Sequence, residues 1–292
     1  MRTFREAVQG EQFTLTAELT LKRGTTADEV RRQADVLARH VDAIEVTDNP
    51  YAWVQMSAVS AAAILLGHGI DPVPILTCRD RNRIAVESDL LGLRALGVTS
   101  LILTRGHKVP KKHAVQGANV FDISGRDLIA LAASFEEEDP SAKGFFIGTG
   151  ARVFRPKADW AADSLGARAA AGARFLQTQL CFNTDILRQY MQAMVEARLT
   201  WRYSVIVSLA VLPSAVTAQW VKKNMNDSRI PKPIIQRLEQ AGDPGQEGIR
   251  ICAELMQEIA EIPGVSGINL MTTGDEAAIP AAIEASGLRR RR

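Results

Sequence analysis

The sequence predicts a single-domain (β/α)8 barrel. Eight apolar runs of strand length alternate with segments of helical periodicity along the 292 residues. This alternation is typical of a parallel sheet, and eight units favour a closed barrel over an open doubly wound sheet, which more often has about five or six strands. The chain length is also usual for one barrel. We expect the barrel to span residues 1–288 and the basic residues 289–292 to form a disordered tail.

The predicted strands are short apolar runs bounded by turn residues. They cover residues 13–19, 43–46, 73–78, 98–104, 145–148, 175–179, 203–209 and 265–270. The predicted helices have apolar residues at helical spacing. They cover residues 26–40, 56–67, 84–96, 127–136, 161–171, 184–197, 215–223, 234–241, 246–261 and 277–285. Residues 26–29 have the pattern of a capping box, and Gly97 ends the helix before the fourth strand.

Composition excludes several classes of partner. Lys and Arg number 35 and Asp and Glu 33, so no overall field recruits nucleic acid or an anionic membrane. The three cysteines are far apart, which predicts neither a disulfide framework nor a metal site. No stretch reaches the roughly 18 apolar residues of a membrane span, and the N-terminus lacks the apolar core of a signal peptide. We therefore expect a cytoplasmic protein without a metal, and a homo-oligomer.

Polar residues near the carboxyl ends of the predicted strands are the candidates for the active site, because barrel enzymes place their chemistry there. They are Glu18, Thr47, Asp48, Thr77, Arg105, His107, Gln177 and Gln179. Glu18 stands out, since a carboxyl group buried in a strand has a raised pKa and can act as a general acid near neutral pH. The alternative is that Glu18 is a structural carboxylate paired with an arginine.

Three other patterns allow two interpretations each. The loop at residues 77–83 has several charged groups that either bind an anionic ligand or form a surface ion-pair network. Residues 148–150, Gly-Thr-Gly, are a weak phosphate-loop signal, and we predict a turn at the end of a strand. His107 either titrates or stacks on a ring, or is a solvated loop residue. Gln177 and Gln179 alternate on one strand, so a shared luminal face would let both amides contact a heterocycle.

The chain resembles the methylenetetrahydrofolate reductase family from about residue 13 to residue 270. The matching motifs are TAEL (16–19), VTDNP (46–50), LTCRDRN (76–82), SDLL (88–91), ALGV (95–98), AGA (171–173), TQ (178–179) and VLP (211–213). The resemblance implies FAD at the strand ends, NAD(P)H as hydride donor and reduction of 5,10-methylenetetrahydrofolate to 5-methyltetrahydrofolate, or the reverse, in one-carbon metabolism. It implies that Glu18 is the acid and that Gln179 contacts the pterin.

By the same resemblance, other residues fall on flavin-contacting positions or near them: Thr47, Asp48, Thr77, Arg105, Gly106, His107 and Arg168. The sequence departs from the family where Arg-Gly-Asp is usual, since it has His107 after Arg105 and Gly106. It also has Ile75 in place of a histidine. We therefore expect FAD to be weakly held. The alternatives are a non-redox tetrahydrofolate-binding subunit, and direct hydride transfer from NAD(P)H to folate without a tightly bound flavin.

Overall fold

The computed structural model describes residues 2–110, 117–138, 144–157, 160 and 162–289. Eight parallel strands close into a barrel in which each strand pairs with its neighbours in chain order. The strands are β1 (Thr14–Glu18), β2 (Ala43–Val46), β3 (Pro72–Thr77), β4 (Ser100–Thr104), β5 (Phe146–Ala151), β6 (Phe175–Leu180), β7 (Ser204–Val211) and β8 (Val265–Thr272). The predicted (β/α)8 barrel is thus confirmed, and every strand begins within two residues of its predicted start.

Helices surround the barrel and connect its strands. They are α1 (Phe4–Val8), α2 (Ala27–Leu37), α3 (Ala58–Gly67), α4 (Arg83–Leu96), α5 (Gly125–Glu138), α6 (Asp163–Ala170), α7 (Thr184–Glu196), α8 (Ala215–Asn224), α9 (Lys232–Gln240), α10 (Pro244–Ala260) and α11 (Ala278–Ser286). Short 3-10 turns lie at Pro50–Ala52, Leu199–Trp201 and Asn226–Ser228. The capping box before α2 is present, and Gly97 ends α4 with a φ of 86°.

Two apolar cores hold these layers together. The larger core fills the space between the strands and the outer helices. The smaller core lies inside the barrel near the amino ends of the strands and includes Ala43, Val73, Ile102, Phe175 and Ile206. This apolar plug closes one end of the lumen, so polar side chains higher in the lumen are accessible only from the carboxyl ends of the strands.

Helix α1, which the sequence analysis did not predict, contributes to this plug. The Phe4 ring is fully buried, with its centroid 4.9 Å from that of Phe175 and 6.1 Å from that of Phe146. The Phe4 backbone N–H also donates to the Asp71 carboxylate at 2.6 Å. Five residues are too few to give a periodicity signal, and such a short helix is not stable alone. The buried contacts of Phe4 stabilise it in the folded protein.

The prediction of a turn at residues 148–150 is wrong, because these residues lie inside strand β5. A Cβ atom on Gly148 would lie 2.2 Å from the Phe175 ring. The glycine is therefore needed for close packing of the plug in the lumen, and not for a turn.

The C-terminal basic run is described only at Arg289, which forms an ion pair with Asp42. Residues 290–292 of the predicted tail lie outside the described residues, as does residue 161 at the predicted start of the sixth helix. In the described ranges, no helix combines the length and apolar character needed to cross a membrane.

Candidate active site

A polar layer lies directly above the apolar plug in the lumen. Glu45 on β2 is completely buried, and both of its carboxylate oxygens accept hydrogen bonds. Oε1 accepts from the Thr16 hydroxyl at 2.9 Å, and Oε2 accepts from Gln177 Nε2 at 2.6 Å. Asn269 on β8 lies 3.1 Å from the same Thr16 hydroxyl through its Oδ1. Strands β1, β2, β6 and β8 thus meet around one carboxyl group.

Glu45 was missed by the sequence analysis, although a signal was present. It is a glutamate in an otherwise apolar run, at residues 43–46, and the same argument had selected Glu18. Burial raises the pKa of Glu45 to about 7, even though the hydrogen bonds from Gln177 and Thr16 favour the charged form.

Glu18 lies at the carboxyl end of β1, where the lumen opens. It is half-buried, and its Cα pairs with that of Glu45 across the two strands. Burial, and then the nearby charge of Glu45, raises the pKa of Glu18 to about 8. No arginine among the described residues contributes to this shift, which favours a general acid over a structural ion pair. Such a carboxyl group holds a proton near neutral pH and can donate it to a ligand at the barrel mouth.

The two glutamines of β6 do not have equivalent positions. Gln177 is buried and committed to Glu45 through its Nε2, whereas its Oε1 has no partner within the described structure. Gln179 is exposed at the end of the strand, after an irregularity in the pairing of β6 with β7. Of the two, Gln179 is therefore the more accessible to a ligand.

The loop that follows β3 is held together by its own charges. The Asp48 carboxylate accepts from the Thr77 N–H at 3.0 Å, from the Thr77 hydroxyl at 2.9 Å and from Arg81 at 2.6 Å. Arg81 also pairs with Asp89, and the buried Arg79 pairs with Asp80. The ion-pair interpretation of residues 77–83 therefore applies, although much of the network is buried and not on the surface.

The rim after β4 is more open. Arg105 and His107 are exposed, and the Arg105 guanidinium lies 4.1 Å from the centre of the Phe121 ring. Gly106 has a φ of 79°, and a Cβ there would lie 3.0 Å from Thr77 Cβ. The His107 ring is nearly parallel to that of Tyr51, with a centroid distance of 6.0 Å.

Tyr51 is a second residue that the sequence analysis missed. It has a φ of 54°, and its neighbours Asn49 and Ala52 also have positive φ values. Asparagine tolerates a positive φ, but the conformation is unfavourable for Tyr51 and Ala52, and such residues often occur at functional sites. Burial, and then the charge of Glu18, raises the Tyr51 pKa, which places the phenol near the acid.

Two further candidate residues border the mouth. The Thr47 hydroxyl accepts from Gln55 Nε2 at 3.1 Å and can still donate its own hydrogen. Arg168 on α6 donates to the Gly150 carbonyl at 2.6 Å and contacts the Thr149 hydroxyl at 3.3 Å. Arg168 is therefore fixed against the end of β5.

A cavity of about 750 Å³ lies at the opposite end of the barrel, lined in part by Arg5, Arg94 and Phe135. It is far from the buried carboxyl groups, so we place the site at the strand carboxyl ends, where the polar residues converge. Within the described part of the chain, no group of three or more His, Cys, Asp and Glu residues could hold a metal ion.

These features define a (β/α)8 barrel protein with a half-buried carboxyl group of raised pKa at the open end of its lumen. The family model of methylenetetrahydrofolate reductase matches residues 3–287. The chain therefore belongs to the methylenetetrahydrofolate reductase family, as its motifs indicated.

Solved structures show the same fold. An uncharacterized protein from Clostridium thermocellum, described as binding two copies of 5-methyl-5,6,7,8-tetrahydrofolic acid, superposes with a TM-score of 0.63 at 12% identity. The match covers 97% of this chain and 96% of that protein. Tryptophan synthase from M. tuberculosis superposes with a TM-score of 0.50 at 13% identity, over 95% of this chain and 94% of that one. No curated protein sequence matches the chain significantly.

Proposed function

We propose that this protein interconverts 5,10-methylenetetrahydrofolate and 5-methyltetrahydrofolate, with NAD(P)H as hydride donor and FAD as cofactor. The observation that carries this proposal is Glu18, a carboxyl group with a pKa of about 8 at the mouth of a barrel of this family. The folate ligand described for the Clostridium thermocellum protein supports the same substrate class.

Glu18 would act as the general acid that opens the methylene bridge. Its proton goes to the bridging folate nitrogen while the bond from that nitrogen to the methylene carbon breaks, and the nitrogen keeps the electron pair. The substrate is left as an iminium ion, whose carbon then accepts a hydride. An acid with a pKa near the working pH is suited to this step, because much of it is protonated and it still releases its proton.

Gln179 would contact the pterin. Its exposed amide at the end of β6 has both a donor and an acceptor, as recognition of a pterin edge requires. Gln177, by contrast, would not contact the pterin, because its amide donates to Glu45 deeper in the lumen.

Four of the residues predicted to bind the flavin fit that group: the Thr47 hydroxyl, the exposed Arg105, the backbone of Gly106 and His107. The positive φ of Gly106 and its close approach to Thr77 both disfavour a side chain at this position. The Gly106 backbone can therefore contact a ligand directly. When bound, FAD would accept hydride from NAD(P)H and supply it to the folate.

Three other predicted flavin contacts are already engaged within the protein. Thr77 donates both its N–H and its hydroxyl to Asp48, and Arg168 is bound to the Gly150 carbonyl. Only part of the predicted set of flavin contacts is therefore uncommitted among the described residues, and this supports our proposal that FAD is weakly retained. The same observation favours the second candidate function, a non-redox subunit that binds tetrahydrofolate.

Absorption spectroscopy and kinetics separate these functions. We expect added FAD to give a flavin band that NADH or NADPH bleaches under anaerobic conditions and that 5,10-methylenetetrahydrofolate restores. We expect Glu18→Gln to lower kcat at least about 100-fold with little change in folate affinity, because a general acid contributes to the rate. Glu258→Gln, the same change at an exposed residue on α10, is the control.

Other outcomes would lead to different conclusions. Turnover of NAD(P)H and folate without any flavin band would indicate direct hydride transfer. Folate binding in calorimetry without turnover would support the binding subunit and contradict the reductase. The cytoplasmic location and the homo-oligomeric state stay predictions, and light scattering on the purified protein tests the second.

A further inference from the structure

We infer that Glu45 is a positioning residue for Glu18: the two carboxyl groups titrate as a coupled pair, and Glu45 is the anion that keeps the last proton on Glu18. The inference about the proton stands on the geometry of the lumen alone. Its consequence for catalysis rests on the proposed function.

The two side chains are neighbours by the register of the barrel. Glu18 and Glu45 are Cα partners on adjacent parallel strands, which lie about 4.8 Å apart, and both side chains project into the lumen. Two carboxyl groups on paired positions of one lumen interact through their charges, so the loss of the first proton leaves the second held more tightly.

The hydrogen bonds decide which member is the anion. Both oxygens of Glu45 accept hydrogen bonds, from the Thr16 hydroxyl and from Gln177 Nε2, which is only a donor. A carboxylate that accepts two hydrogen bonds is stabilised in its charged form. Glu18 is the more exposed member and faces the mouth, where its O–H can meet a substrate.

Asn269 supports this assignment. Thr16 has one hydroxyl hydrogen but contacts two oxygen atoms, Glu45 Oε1 and Asn269 Oδ1, while Asn269 Nδ2 has no partner in the described structure. With the Asn269 amide turned over, Nδ2 donates to Thr16, and Thr16 donates to Glu45. The mismatch at Thr16 is then removed, Oδ1 takes the position of Nδ2, and a chain of donors ends on Glu45.

The other groups around the pair leave this proton in place. Beside Glu45 on β3 lies Val73, which is apolar. Tyr51, in the loop after β2, is close enough to Glu18 for the two charges to interact. Its pKa is raised by burial and by the charges of Glu18 and Asp227, so the phenol stays neutral. Once Glu18 has donated its proton, two anions face each other in the lumen, which favours recovery of a proton from solvent.

Carbon-13 NMR of protein labelled at the glutamate carboxyl carbons tests the inference without any substrate. Glu18→Gln and Glu45→Gln assign the two signals. At pH 7.5, between the pKa values of about 7 for Glu45 and about 8 for Glu18, we expect Glu18 to be mainly protonated and Glu45 to be mainly ionised. We expect Glu45→Gln to lower the pKa of Glu18 by about one unit or more, because the neighbouring charge is lost. Glu258→Gln should leave both signals unchanged.

A second variant keeps the test informative if Glu45→Gln does not fold. Gln177→Leu removes the hydrogen bond to Oε2, so we expect the pKa of Glu45 to rise and the proton to move towards Glu45. An unchanged Glu18 titration in Glu45→Gln, or a proton found on Glu45 in the unmodified protein, would overturn the inference.

Kinetics tests the consequence for catalysis. The alkaline limb of kcat/KM should move to lower pH in Glu45→Gln by the same amount as the NMR shift, while the rates at pH 6 stay within a few-fold. A coupled pair in a protein without reductase activity would support the inference and contradict the proposed function. An active reductase with uncoupled carboxyl groups would support the proposed function and contradict the inference.

Discussion

Replacing Glu18 by Gln is expected to stabilise the protein at high pH. The folded state raises the pKa of Glu18 from its ordinary value of 4.5 to about 8. Below pH 4.5 the group is protonated in both the folded and the unfolded chain, so it has no effect on stability. Between pH 4.5 and 8 the unfolded chain releases a proton that the folded protein keeps, so the unfolding free energy falls as the pH rises. Above pH 8 the loss is complete.

The size of this effect follows from the pKa difference. Each pKa unit corresponds to about 1.4 kcal/mol, so the full shift corresponds to as much as about 5 kcal/mol. Glu18 is only half-buried, and water reaching the carboxylate reduces this value. We therefore expect Glu18→Gln to exceed the unmodified protein in unfolding free energy by about 2 to 4 kcal/mol at pH 9, and by little at pH 5.

Urea unfolding at pH 5 and pH 9, followed by circular dichroism, measures this difference. Comparing variants at each pH cancels the titration of the rest of the protein. Glu258→Gln is the control, and we expect its effect to stay within about 0.5 kcal/mol at both values. If the effect of Glu18→Gln changed by less than about 0.5 kcal/mol between the two pH values, Glu18 would have an ordinary pKa and the reasoning would be refuted.

The packing and the ion-pair network give two further predictions. Gly148→Ala places a methyl group against the Phe175 ring and should lower the unfolding free energy by about 1 to 3 kcal/mol in urea unfolding; an unaffected midpoint would show that the plug adapts. Asp48→Ala leaves Arg81 with Asp89 alone and the Thr77 N–H and hydroxyl without their acceptor, and it should cost about 1 to 3 kcal/mol in the same unfolding experiment. A loss below about 0.5 kcal/mol would show that the network contributes no more than an exposed pair.

The sequence by itself determined the barrel, and it singled out Glu18 as the candidate acid. Strand runs buried on both faces are continuously apolar, and this signal is local, so eight of them could be located from the sequence. Because these runs are apolar, a glutamate in one of them, such as Glu18, is conspicuous in the sequence. The local motifs, several of which lie in the loops after the strands, also indicated the family that the family model matches.

The tertiary structure decided how the polar side chains are combined. Gln177 bonds to Glu45, and Thr16 bonds to Asn269, across 132 and 253 residues of chain. No local pattern contains such pairs, since they arise only when the sheet closes and brings distant strands around one lumen. Gly148 was misassigned for the same reason: the Phe175 ring that requires it lies on the neighbouring strand, where the fold and not the local sequence places it.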